Sequence, residues 1–157
     1  MIIPGRALLT RSIIRNVQNP ALQVQPCGVD LTLKRILTWT SPGIIDLDNQ
    51  RRQTASTNEI PFLAPRILSR RIQRNSSVPL DMMGQIFVRS SLFRSGVLLT
   101  TGVMDSGYVG AVGALMQVLN PAGLRVYPSA RLAQFVFHQM SEEVEGYSGV
   151  YQGRTAL

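Results

Sequence analysis

The sequence predicts an all-β fold, a distorted jelly-roll or β-sandwich with a short N-terminal helix and a flexible C-terminal tail. Three observations predict it. Helical periodicity is confined to residues 6–17. From about residue 22 the chain becomes a series of short apolar runs rich in Val, Leu and Ile. Pro or Gly punctuates those runs at Pro65, Pro79, Gly107, Pro121-Ala122-Gly123 and Pro128. Many short strands joined by tight turns close into a sandwich or a jelly roll.

In order along the chain, Ala7, Leu8, Leu9, Ile13, Ile14 and Val17 alternate with Arg6, Arg11 and Arg15 at helical spacing, and Asn19-Pro20 is expected to end that helix. Leu31, Leu33, Ile36 and Leu37 form an apolar β stretch closed by the turn residues Ser41-Pro42-Gly43. The polar segment from Asp48 to Glu59 reads as a surface excursion. Strands are expected at 61–64, 66–74, 84–90, 96–102, 109–119, 124–127 and 131–139. From Ser141 the chain is polar and then glycine-bearing, the composition of a flexible end.

At 157 residues the chain is read as one domain, 1–157, with a helical segment over 1–20 and a mobile tail over 141–157. Its 45% apolar and 16% charged content argues against disorder. No run of about 18 apolar residues occurs, and Met1 to Arg6 does not read as a secretory signal, so a soluble, cytoplasmic protein without membrane contact is expected. Cys27 is the single cysteine, which excludes an intrachain disulfide and a Cys/His zinc site within one chain. The net charge of +7 is carried almost wholly by arginine, with Lys34 the only lysine. Arginine is the better bidentate partner for phosphate oxygens, so a polyanionic ligand fits. Nucleic acid is not the expected partner, because the clusters Arg51-Arg52 and Arg66 to Arg74 are short and not interleaved with aromatics.

The chemically richest stretch is Gly102-Val103-Met104-Asp105-Ser106-Gly107-Tyr108-Val109-Gly110. Asp-Ser-Gly between apolar runs is a hairpin signal in which Gly107 takes φ > 0 and which places Asp105 and Tyr108 at the tip. An ionised Asp there can act as a general base on water, and the Tyr ring can cover a planar group. The same residues are also ordinary turn chemistry.

Four further stretches join it in order. Gln25-Pro26-Cys27-Gly28-Val29-Asp30-Leu31-Thr32-Leu33 resembles the first motif of the trimeric dUTPase and dCTP deaminase superfamily. Arg89-Ser90-Ser91-Leu92-Phe93-Arg94-Ser95-Gly96 resembles the second, 102–110 the third and Ala130-Arg131-Leu132-Ala133-Gln134 the fourth. Tyr147 to Arg154 is similar to the tail that covers the bound nucleotide in that superfamily.

The resemblance implies a deoxynucleoside triphosphate ligand with Mg²⁺ and a homotrimer whose sites are shared between subunits. Deaminases of the superfamily carry a proton-shuttling Glu on the strand after the third motif. Here 111–120 contains no acid: the expected position falls on Leu115 or, counted back from Asn120, on Gln117, and neither transfers a proton at neutral pH. The third motif also has the dUTPase form, while Arg89-Ser90-Ser91-Leu92 and the long N-terminal region look deaminase-like. The implied activity is that of a dUTP diphosphatase on the deaminase-like branch, forming dUMP and pyrophosphate. A dCTP deaminase, a bifunctional enzyme and a non-catalytic nucleotide-binding relative are the alternatives.

The roles implied by resemblance are these. Asp105 activates water, and Tyr108 lies against the deoxyribose. Main-chain groups over 99–104, including Gly102, Val103 and Met104, read uracil. Ser90, Ser91, Gln134, Arg89, Arg94 and Arg154 contact phosphates. Tyr147, Tyr151 and Gln152 belong to the closing tail. Mg²⁺ is held by the triphosphate and not directly by protein, with a contact through water to Asp30. Arg131 is expected to be structural, because in a strand it points opposite to Gln134. His138 is expected to have no catalytic part.

Overall fold

The computed structural model describes residues 1–60, 69–71 and 74–154. In chain order its strands are β1 (Val24–Gln25), β2 (Gly28–Thr32), β3 (Ile36–Trp39), β4 (Thr57–Ile60), β5 (Ser69–Arg71), β6 (Arg74–Ser77), β7 (Met82–Val88), β8 (Val97–Thr100), β9 (Val109–Val112), β10 (Leu115–Val118) and β11 (Arg131–Gln139). Three short helices accompany them: α1 (Gly5–Thr10), α2 (Pro20–Gln23) and α3 (Ser90–Arg94). One antiparallel sheet runs β1-β2-β11-β7, a second runs β4-β3-β5-β10-β8, and β6 pairs with β9 as a separate ribbon. The all-β sandwich expected from the sequence is the fold observed. No helix among the described residues is long and apolar enough to cross a membrane.

The core divides into two clusters. Val29, Leu31, Ile86, Phe135 and Phe137 of the first sheet pack with Leu8 of α1 and with Val78, Tyr108 and Val112 around the ribbon. Ile36, Val97 and Met116 of the second sheet pack with Leu92, Val126 and Leu132, and Leu99 touches both clusters. Phe135 and Phe137 are essentially fully buried, with ring centroids 4.4 Å apart.

The local differences from the sequence reading have physical causes. The helix expected over 6–17 stops at Thr10, because Ser12 takes φ +55° and the amides of Ile13 and Ile14 both turn back to the Leu8 carbonyl. Ile13 and Ile14 are buried by that reversal rather than by a helical face. Asn19-Pro20 begins a helix instead of ending one: the Asn19 side chain accepts from the Leu22 amide, and the Gln23 side chain accepts from the Asn19 amide.

The single strand expected over 109–119 is two strands in different sheets, broken at Gly113-Ala114. Consequently β8 pairs with β10, and the segment between them is not a two-strand hairpin. The strand expected at 124–127 is irregular chain. That expected at 61–64 lies outside the described residues, and 66–74 is described only in part. The strand placed at 131–139 is found there, and that placed at 84–90 is β7, which yields to α3 at Ser90.

Gly28 sits at two close main-chain approaches beside the first cluster. A Cβ built on it would lie 2.2 Å from the Phe135 carbonyl oxygen, and one on Gly5 would lie 2.0 Å from the Gly28 carbonyl oxygen. Backbone atoms cannot yield as a flexible side chain can, so Gly28→Ala is expected to lower stability by about 2 kcal/mol or more in urea denaturation. Unfolding at the wild-type midpoint would show that this packing is not needed.

Candidate active site

The segment leaving β8 crosses from the second sheet to the first and is clamped there by main-chain bonds. Met104 exchanges two bonds with Gly84 of β7, each 2.9 Å. The Tyr108 amide donates to the Asp105 carbonyl, closing a turn in which Gly107 takes φ +76°, the conformation the sequence assigned to it. Ser106, buried, donates its hydroxyl to the Met82 carbonyl at 2.6 Å. The turn is therefore tied to β7 on both sides of Asp105.

Beside it lies a cavity of about 280 Å³. Gly102, Val103, Met104 and Asp105 form one wall, Tyr108 and 111–113 another, and Tyr147 and Tyr151 of the tail overhang it. Tyr108 is buried, and its hydroxyl donates to the Ala111 carbonyl at 2.6 Å. Its ring meets Tyr147 edge-on at 5.6 Å. A Cβ on Gly110 would lie 2.6 Å from the Tyr108 hydroxyl, so only glycine lets the ring lie where it does. Asp105 is exposed and is the only carboxylate lining this cavity among the described residues. It also lines an adjoining hollow of about 340 Å³, where Glu145 is the second acid.

The tail is docked on its own chain. Tyr147 donates its amide to the Ser106 carbonyl, Gly153 to Val109, and the Ala111 amide donates to the Arg154 carbonyl. The Gln152 side chain accepts from the Val109 amide and donates to the Gly107 carbonyl, both at 2.9 Å. Gln152 is thus engaged in seating the tail.

Sequence reasoning missed one group at this mouth. The Arg52 guanidinium carbon lies 4.5 Å from the centre of the Tyr151 ring and that of Arg154 5.5 Å from it, while Thr54 Oγ1 is 3.4 Å from the Tyr151 hydroxyl. The Arg51-Arg52 pair was visible in the sequence, but nothing there tied it to the tail.

The remaining sequence candidates lie elsewhere in the chain. Arg89, Ser90, Ser91, Arg94 and Gln134 do not line the cavity. Ser90 and Ser91 open the short α3, and Arg94 is exposed at its end. Gln134 stands opposite Asp30 across β11 and β2. Leu115 and Gln117 are exposed on β10 and also lie outside the cavity.

Asp30 is only 2% exposed and carries two arginines: Arg89 Nε lies 3.0 Å and Arg131 Nη1 3.3 Å from its Oδ2. Arg89 also donates to the Arg131 carbonyl, and Arg131 donates to the Leu22 carbonyl. Strand alternation was expected to point Arg131 opposite to Gln134, but Arg131 reaches Asp30 and the Leu22 carbonyl. A register irregularity between Arg131 and Ala133 brings it to Asp30, the residue that faces Gln134. Two guanidiniums on a buried carboxylate leave Asp30 poorly placed for a water-mediated contact to Mg²⁺.

A model of the dCTP deaminase-like family matches residues 6–140. The chain belongs to the dCTP deaminase-like family. Similar proteins carry a nucleotidohydrolase name. A Methanosarcina mazei protein named probable deoxyuridine 5'-triphosphate nucleotidohydrolase is 35% identical over 148 residues, covering 89% of this chain and 86% of its own. The Methanocaldococcus jannaschii deoxyuridine 5'-triphosphate nucleotidohydrolase is 34% identical over 141 residues, covering 84% and 88%. An Aeropyrum pernix protein with the probable form of that name is 31% identical, over 98% of both chains. The crystal structure of 2'-deoxycytidine 5'-triphosphate deaminase from Agrobacterium tumefaciens superposes with a TM-score of 0.56 at 19% identity. That match covers 87% of this chain and 47% of the deaminase chain, and it bears on the fold alone.

Among the described residues no three His, Cys, Asp or Glu side chains gather as a metal cage.

Burial pushes the Asp30 carboxyl above its ordinary range, while Arg89 and then Arg131 pull it back. With its folded pKa raised, Asp30 favours the fold below the ordinary carboxylate pKa and loses that contribution as pH rises through the raised value. Removing Arg89 raises it further. Arg89→Ala is therefore expected to cost roughly 2 kcal/mol at about pH 8, a value below that of a fully buried pair because the arginine end is partly solvated. The deficit should shrink at about pH 5, as thermal melts at the two pH values will show.

Proposed function

We propose that this chain is a dUTP diphosphatase, hydrolysing dUTP to dUMP and pyrophosphate. The observation that carries the reading is that Asp105 is the only acid lining the cavity among the described residues, on a turn pinned to β7, with no acid in 111–120 to serve a base. The nucleotidohydrolase names of relatives aligned over most of the chain support it.

In this reading Asp105 orients a water and takes its proton as the water oxygen attacks the α-phosphorus. The bond from that phosphorus to the oxygen bridging to the β-phosphate breaks, pyrophosphate leaves, and Asp105 returns the proton to solvent. Among the described residues, the main-chain amides and carbonyls of Gly102 and Val103 have no protein partner, so they are free to read uracil. Tyr108, held from behind by Ala111, packs against the deoxyribose where a 2′-hydroxyl would collide. Mg²⁺ bound by the triphosphate supplies charge neutralisation for the departing pyrophosphate.

Arg89, Ser90, Ser91, Arg94 and Gln134 are assigned to phosphate contacts made in a neighbouring copy's cavity. That none of them lines this chain's own cavity is what a homotrimer with shared sites requires. Tyr147, Tyr151, Gln152 and Arg154 close the site as a tail that opens for exchange, and the protein is assigned to the cytoplasm.

A deaminase or bifunctional enzyme is the second reading, favoured by the dCTP deaminase-like family match. Incubation with Mg²⁺ and either dUTP or dCTP, with pyrophosphate and ammonia assayed separately, decides between them. Pyrophosphate from dUTP is expected, falling about a hundredfold to ten-thousandfold in Asp105→Asn with the thermal melt retained. Ammonia from dCTP would instead establish the second reading, and binding of dUTP without turnover would leave a non-catalytic relative.

A further inference from the structure

The excursion between β3 and β4 does not stand away from the molecule. Ile44 and Gln53 exchange two main-chain bonds, 2.9 and 3.0 Å, and Ser41 Oγ accepts from the Ser56 amide, so the segment is folded on itself. The Arg51 amide donates to Asp46 Oδ2 at 2.6 Å, which turns the chain just before Arg52. The result is that Arg52, half-buried, lies over the Tyr151 ring that overhangs the cavity.

Arg154 lies near the same ring. Among the described residues neither arginine has a carboxylate within ion-pair distance, since both ion pairs present use Asp30. Both guanidiniums lie near one ring, and each retains N–H donors that the ring face does not satisfy. A polyanion at the cavity mouth offers acceptors to both, and two forked guanidiniums suit neighbouring phosphates of one chain.

We propose that Arg52 is a polyphosphate-binding residue of the site, acting with Arg154 on the pyrophosphate portion of the ligand. The excursion thereby serves as a second arm of the site, meeting the tail through Arg52 and Thr54. The assignment to a nucleotide's β- and γ-phosphates rests on the dUTP reading above. The affinity for polyphosphate as such does not.

The test compares wild type, Arg52→Ala, Arg52→Lys and Arg51→Ala by dUTP kinetics and by calorimetric titration with Mg²⁺-pyrophosphate and with dUMP. Arg52→Ala is expected to raise the KM for dUTP and weaken pyrophosphate by about tenfold each, the loss typical of one charge-assisted contact, while dUMP affinity stays within about twofold. Arg52→Lys should recover part of that loss, and Arg51→Ala should match wild type. Unchanged pyrophosphate affinity in Arg52→Ala would overturn the proposal. So would equal weakening of dUMP and pyrophosphate, which would mean that Arg52 merely holds Tyr151 in place. Arg52-dependent pyrophosphate binding in a protein that leaves dUTP intact would uphold the proposal and refute the dUTPase reading.

Discussion

The site depends on the clamping of the Asp105 turn to β7. Between Met104 and Tyr108 the chain spends almost every main-chain group on a neighbour: Met104 on Gly84, Gly107 and Tyr108 on Val78, and Ser106 on Tyr147. The buried Ser106 hydroxyl adds a bond to Met82. A carboxylate on so constrained a turn is aimed by its backbone, and orientation of that kind is what a water-activating base requires. The same bonds give the tail its landing place, because Ser106, Gly107 and Val109 still offer groups that Tyr147, Gln152 and Gly153 use. One set of interactions thus fixes the Asp105 turn and seats the tail.

The two motif aspartates show how environment divides labour between identical side chains. Asp30 faces away from the apolar cluster containing Val29 and Leu31, and it is buried under Arg89 and Arg131. Its carboxylate is spent on holding β2, β7 and β11 together where their ends meet. Asp105 is exposed at a cavity and has no ion-pair partner among the described residues. An exposed carboxylate at a cavity is open to water and ligand, whereas one held by two guanidiniums is a fastening.

The sequence made the sandwich legible because strand length and turn residues are local signals. β11 and the positive φ of Gly107 both follow from a few neighbouring residues. It misjudged 109–119 because an apolar run does not state which sheet each half joins, and the break at Gly113-Ala114 is decided by pairing with β5, β6 and β8. The Ile13 and Ile14 pair misled in the same way: burial through a reversed turn imitates helical periodicity. At the site, Asp105, Tyr108, Tyr147 and Tyr151 were legible and do meet at one cavity. Arg52 was not, since its relevance arises from a contact with Tyr151 at long sequence separation.

The motif residues that do not line this cavity form a cluster of their own. Arg89 is committed to Asp30 and to the Arg131 carbonyl, so the loop that follows it is oriented by a buried ion cluster. Ser90, Ser91 and Arg94, presented at the surface on α3, inherit that orientation. The buried Asp30 cluster thus holds the start of an exposed Ser-Ser-Arg surface that does not line the chain's own cavity. The Asp30 cluster and the Asp105 turn are therefore held by separate interactions, the first by two ion pairs and the second by main-chain bonds to β7 and Val78.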